Sequence, residues 1–209
     1  EVEMRSLIFL LLFSSQAFAA LSIRDLDGDW SNGHEGVYDD VLDITWLADA
    51  NYAATIGYDS DGGMSWADSL TFASQLVVGN FNNWRLPTLG IPKFSVNHFP
   101  SGFYRTEGEL GHLYYETFGH NKNNILDNIS FTDPNDNEVY SFQNVQASSS
   151  GYVYWYGEAH GNANNPDPWY LTLDDGHTHI SNPTSPHYSW PVHDGDIGAS
   201  PVPLPAGIY

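Results

Sequence analysis

Trp169-Tyr170-Leu171-Thr172-Leu173-Asp174-Asp175-Gly176-His177-Thr178-His179-Ile180 decides the fold class. Two short runs rich in aromatic and β-branched residues flank an Asp-Asp-Gly turn, which is the pattern of a β-hairpin. Outward from it, the segments 139–146, 152–158, 168–173, 177–181 and 188–193 are short, aromatic and bounded by Gly, Pro, Asn or Asp, so each reads as a strand. Upstream the period changes. Ser65 with Asp68 three residues later forms a capping box, and Trp66, Leu70, Ala73, Leu76 and Val77 fall near helical spacing, predicting a helix over 66–77. A second box, Thr106 with Glu109, predicts a helix at about 107–118, with Leu110, Leu113, Tyr114 and Phe118 on its apolar face and Gly119 as its stop. Val41-Leu42-Asp43-Ile44-Thr45-Trp46-Leu47 alternates in the manner of a half-buried strand. Tyr58-Asp59-Ser60-Asp61-Gly62-Gly63 reads as a turn, and a loop surrounds Trp84-Arg85-Leu86-Pro87-Thr88. No internal repeat or low-complexity segment interrupts this order. Residues 20–198 therefore predict a single α+β domain, two helices followed by an antiparallel, aromatic-rich sheet.

The ends carry different signals. After Met4 and Arg5 comes the apolar run Leu7-Ile8-Phe9-Leu10-Leu11-Leu12-Phe13, then Ser14-Ser15-Gln16 and the small-residue motif Ala17-Phe18-Ala19. A basic start, a short apolar core and an A-x-A site make a secretory signal peptide over residues 1–19, with a mature start near Ala20. A spanning helix needs roughly 20 apolar residues, well beyond this run. Glu1-Val2-Glu3 stand ahead of the Met that would begin such a signal.

The whole chain has 26 acidic and 6 basic residues and a formal charge of −20. Without residues 1–19, 24 acidic residues face 5 basic ones, a charge of −19. Such a field repels nucleic acid, anionic lipid and sulfated glycans and favours cations or neutral partners. With no cysteine, an exported chain must draw its stability from an ordinary core or from bound metal. The length suffices for one such core. Seven Trp, thirteen Tyr and eleven Phe supply large buried areas, and equally suit stacking on sugars.

An ordered set of short motifs adds a resemblance. Asp-Ile-Thr-Trp-Leu (43–47), Met64-Ser65-Trp66-Ala67-Asp68, Asn83-Trp84-Arg85-Leu86-Pro87-Thr88, Glu109-Leu110-Gly111-His112-Leu113-Tyr114-Tyr115, Tyr154-Trp155, Trp169-Tyr170 and Tyr188-Ser189-Trp190-Pro191-Val192 follow one another over residues 36–196. This order resembles the Lcl C-terminal domain family, named for the C-terminal domain of a collagen-like adhesin. The resemblance implies a C-type-lectin-like fold, distantly similar to the formylglycine-generating enzymes that share the Arg-Leu-Pro-Thr stretch, and glycan adhesion as the activity. Those enzymes hold copper through cysteines, so their chemistry is excluded here. Where relatives read Val-Arg-Asp-Gly this chain has Val192-His193-Asp194-Gly195, and Trp155-Tyr156-Gly157 replaces their Trp-Ser-Gly. The lost basic residue, with the acidic charge, argues against sulfated glycans. At the other end, Ser200-Pro201-Val202-Pro203-Leu204-Pro205-Ala206-Gly207-Ile208-Tyr209 is similar to the start of a PEP-CTERM sorting signal. In that family an exosortase removes the signal during surface delivery, and an apolar helix and a basic cluster follow; a Pro-rich tail is the plain alternative.

No nucleophile elbow, Ser-His-Asp signature or phosphate loop is visible, and no motif selects two carboxylates as a glycosidase pair. The chain thus reads as a non-enzyme, a calcium-dependent hydrolase being the remote alternative. Asp25, Asp27 and Asp29 alternate in one acidic loop, and Asp59 and Asp61 repeat the theme; calcium favours such oxygen clusters, although Asp and Gly also simply favour turns. A third acidic loop, 133–138, is weaker. Neither of the first two has the Gly and Glu positions of an EF-hand. His177 and His179 would share one strand face, a geometry zinc could use with His187 or His193, or else they are surface histidines. Arg85 is expected to be buried against a carboxylate, with Glu109 the first choice. Tyr154, Trp155, Tyr156 and Trp169 are the sugar-stacking candidates, with core burial the expectation for at least half of them. The function expected is a surface or extracellular-matrix binding module of a Gram-negative-type bacterium, taking exopolysaccharide or cell-surface glycan in a biofilm. It would meet exosortase during sorting, and membrane only in transit. A structural matrix or filament subunit is the alternative.

Overall fold

A computed structural model describes residues 19–95, 101–123, 126, 129–146 and 153–199. Residues 1–18 of the expected leader and 200–209 of the sorting-signal stretch lie outside them. In chain order the strands are β1 (Leu21–Arg24), β2 (Gly36–Asp39), β3 (Ile44–Leu47), β4 (Gly63–Met64), β5 (Phe94–Ser95), β6 (Ser130–Thr132), β7 (Val139–Ser141), β8 (Val153–Asn162), β9 (Asn165–Thr172), β10 (Thr178–Ile180), β11 (His187–Tyr188) and β12 (Val192–Asp194). The helices are α1 (Tyr52–Thr55), α2 (Trp66–Gln75) and α3 (Glu109–His112). The fold is mixed α+β.

The hairpin that set the fold class is present: β9 and β10 pair antiparallel with Leu171 opposite Thr178 and Tyr170 opposite His179. Its turn needs Gly176, whose φ of +78° is left-handed; a Cβ there would lie 2.4 Å from the Tyr115 hydroxyl. The sheet runs β10-β9-β8-β11-β4, with β5 added beside β8. It is not wholly antiparallel, because β11 and β5 each pair parallel with β8. A second sheet, β1-β2-β3-β12, joins the start of the chain to its end. The sequence reading missed β1 and β2, whose Ser, Arg, Gly and Asp residues mask the strand pattern. It also misjudged residues 41–47. Only Ile44–Leu47 form the strand, and all four are buried because β3 lies between β2 and β12.

Ser65 caps α2 as the motif predicted, its hydroxyl oxygen accepting from the Asp68 N–H. The Thr106–Glu109 box does not form. Gly108 stands at the N-cap of α3 without a side-chain cap, and the turn Leu113–Thr117 that follows is π-helical. Glu109 is drawn away by a cation, since a bidentate charged pair outweighs a neutral cap. The core is aromatic. Trp46, Trp84, Trp155, Trp169 and Trp190 are fully buried with Tyr114, Tyr154 and Tyr156, and Trp190 packs on Trp46 at 5.3 Å, Tyr154 at 5.4 Å and Phe142 at 5.0 Å between ring centroids. Their polar atoms are mostly paired: the indole N–H of Trp190 donates to the Leu47 carbonyl and that of Trp155 to Met64.

Candidate functional site

Alternation along β8 and β9 sorts the aromatic residues into two faces. Tyr154, Tyr156, Trp169 and Leu171 face the core. Trp155 and Tyr170 face the other way, opposite one another in register. α2 covers part of this second face, placing Trp66, Leu70 and Ala73 with Trp155 and Leu86. The four expected stacking residues are all corrected by this arrangement. Tyr154, Trp155, Tyr156 and Trp169 are each 0% exposed, so none offers a ring face to a sugar. Three are core residues by strand parity and Trp155 is roofed by the helix.

At the margin of this cluster, where Tyr170 packs on it, the second face is half-open. There Tyr170 stands opposite His179, and the rings continue in a strip. Trp155 meets His187 at 4.2 Å, His187 meets Tyr170 at 5.4 Å, Tyr170 meets His179 at 6.3 Å, His179 stacks on His177 at 5.5 Å and 24°, and His177 meets Phe103 at 4.8 Å. Phe103 reaches the strip because Gly102 bridges to Thr178 at the sheet edge. Tyr104 extends the aromatic surface toward the turn, 53% exposed, with a strained φ of +58° and its ring on Tyr115 at 4.8 Å.

His187 is held neutral. Its Nδ1–H donates to the Pro186 carbonyl at 2.9 Å, so Nε2 accepts from the Ser181 hydroxyl at 2.9 Å. Burial pulls its pKa down to about 4. Ser181 then leads into a cleft of about 510 Å³ lined by Asn164, Asn165, Asp167, Ile180, Ser181 and Asn182, with prolines at its rim. The cleft has no cationic side chain. Its one carboxylate, Asp167, lies 3.8 Å from His160. Aromatic faces beside convergent neutral amides are the furniture of a site for an uncharged, hydroxyl-rich ligand.

The acidic residues divide. Asp25 and Asp27 come together with Glu35, which the sequence reading did not single out, all within 4.8 Å. Glu35 is pushed up by desolvation and by the charges of Asp27 and Asp25. Asp29 instead caps the short turn Trp30–Asn32, and Asp59 accepts from the amides of Asp61 and Gly62 in its own turn. Calcium takes six to eight oxygens. The triad offers only part of that set, and its oxygens already accept from the N–H groups of Asp27, Gly28, Asp29 and Leu26. Asp29, Asp59 and Asp61 do not join it. The histidines also divide: His193 lies against Trp84 and Phe81 on the other sheet, away from the strip. Among the described residues no three histidines converge as a metal would require.

Arg85 pairs with Glu109 as expected, in a bidentate bridge of 2.7 and 2.8 Å, and adds Asp194 at 2.7 Å. Its side chain is not fully withdrawn but about a third exposed, at 34%. Every nitrogen of the guanidinium is engaged, which makes the group a clamp between the loop, α3 and β12.

The residues missed by the sequence reading are Tyr170, Phe103 and the cleft asparagines. A register for the Asp-Asp-Gly hairpin would have paired Tyr170 with His179 on one face. Nothing local reveals that this pair is left half-exposed. Comparison with protein-family models, curated proteins and solved structures finds no match.

Proposed function

We propose that the protein is a carbohydrate-binding module that takes a neutral polysaccharide on the half-open face of its six-stranded sheet. The observation that carries this reading is the Tyr170–His179–His177 strip beside an asparagine-lined cleft without a cation. Sugar rings present a C–H face to aromatic rings and hydroxyls to amides, and both partners are placed together here. The surrounding charge of −20 selects against sulfated and other polyanionic glycans. The reading extends to a non-enzymatic, exported protein of the cell surface or biofilm matrix, with a C-type-lectin-like fold of the Lcl C-terminal type. What supports that extension is the leader-like Arg5 to Ala19 stretch, the Val-Pro-Leu-Pro-Ala tail and the ordered tryptophan motifs.

The test is a glycan array of neutral and sulfated oligosaccharides, probed with the wild type and with Tyr170→Ala. Signal on neutral glycans, reduced about tenfold in the variant, is the expected result. Binding that ignores Tyr170→Ala, or that is confined to sulfated glycans, overturns the assignment. Filaments forming without any glycan would favour the matrix-subunit alternative.

A further inference from the structure

A second site lies where β8 is interrupted. Register shifts between Trp155 and Ala159, and the resulting bulge places Gly157 and Glu158 against the loop that follows α2. The groove there encloses about 490 Å³, with Leu70, Leu86 and Ile91 as apolar walls and Lys93, Gly157 and Glu158 among its other lining residues. A shallower hollow of about 300 Å³ shares Leu70, Leu86 and Lys93 and runs along α2 past Thr71 and Ser74. We propose that this groove binds a small monocarboxylate with an aliphatic body, its apolar chain against Leu70, Leu86 and Ile91 and its carboxylate paired with Lys93.

The choice of ligand rests on charge. Among the described residues, Arg24 pairs with Asp196, Arg85 with Glu109 and Asp194, and Arg105 with Glu107, while Lys122 lies over the Phe103 ring. Lys93 alone of the described basic residues has no protein partner. With 26 acidic residues in the chain, a lysine left unpaired at the mouth of an apolar groove is out of keeping with the rest of the surface. The other cation of the groove, Arg85, is saturated. Glu158 is committed as well, accepting from the Thr88 hydroxyl and from the Leu89 N–H. One free ammonium holds one carboxylate, and the acidic field of the protein disfavours any polyanion. The volume is in the range of pockets that hold small organic ligands.

Gly157 supplies a plug for the test. Its φ is not in the left-handed region, and a Cβ there would make only ordinary contacts of 3.8 Å with Leu86 and Pro87. The experiment titrates sodium octanoate and, separately, 1-octanol into the full chain with labelled methyl groups and follows the resonances of Leu70, Leu86 and Ile91 by NMR. Octanoate shifts these methyls and binds more tightly than octanol. Lys93→Gln weakens octanoate about fivefold and leaves octanol unchanged, and Gly157→Leu removes both. Equal affinity for the acid and the alcohol, an unchanged octanoate affinity in Lys93→Gln, or shifts confined to other methyls overturns the proposal. Lys93 is exposed, so that variant decides the matter even if Gly157→Leu fails to fold.

Discussion

Replacing His187 by Asn tests whether this ring is held neutral by its surroundings. The imidazole is wedged between Trp155 and Tyr170, and its pKa falls from the ordinary 6.5 to about 4 chiefly through burial, partly offset by its bond to the Pro186 carbonyl. The folded-state value is depressed and the group is a base. Between pH 6.5 and pH 4 the unfolded chain therefore takes up a proton that the folded chain refuses. Stability present above that window is lost as pH falls through it. At about 1.4 kcal/mol per pH unit between the two values, a ring fully withdrawn from water would cost the fold about 3 kcal/mol by the lower end. His187 is only half-buried, so solvent screening reduces this to about 1.5 kcal/mol. The raw stability curve also contains Glu35, Asp39, Glu158 and Asp174, all pushed up chiefly by burial. Those carboxyls act in the opposite sense, relieving a cost as pH falls through their raised values. The difference between wild type and His187→Asn isolates the histidine. Urea unfolding followed by tryptophan fluorescence should show the wild type more stable at neutral pH through ring packing, with the gap closing by about 1.5 kcal/mol near pH 4. A gap that stays constant over the range would refute the neutral-ring reading.

Other perturbations address the remaining parts. Glu109→Gln leaves Arg85 with Asp194 as its one carboxylate and should cost about 2 kcal/mol in urea unfolding, moderated because the guanidinium is a third exposed. Trp155→Ala should lower stability by about 3–5 kcal/mol by opening the contact between α2 and the sheet, whereas Tyr170→Ala, at a half-buried ring on the edge of that cluster, should cost less while reducing glycan binding about tenfold. Glu35→Gln removes one of three converging carboxylates and should raise stability by a few tenths of a kcal/mol in chelator-treated protein; an unchanged midpoint would show that the repulsion is already relaxed in solution.

The mixture of helices and sheet was legible because its signals are local. Ser65 and Asp68 start α2 through contacts three residues apart, and Asp174-Asp175-Gly176 closes the hairpin with one left-handed glycine. Charge, by simple addition, also pointed away from polyanions. Burial was expected for at least half of the stacking candidates, but that it takes all four was not legible, since the fates of the successive residues Tyr154, Trp155 and Tyr156 depend on which elements cover each face of β8. The Arg85–Glu109 pair was expected, but spacing could not show that forming it leaves α3 without its predicted capping box.

The sequence by itself determined the mixed α+β class, the acidic charge and the lack of disulfide staples. Only the tertiary structure decided which rings remain within reach of a ligand, that Glu35 joins Asp25 and Asp27, and that Lys93 has no side-chain partner among the described residues. The reason is physical: propensity, turn chemistry and net charge act over a few residues or over the whole chain. A site is instead made where distant segments meet, as α2, the loop around Leu86 and the β8 bulge do at the groove lined by Leu70, Leu86 and Gly157.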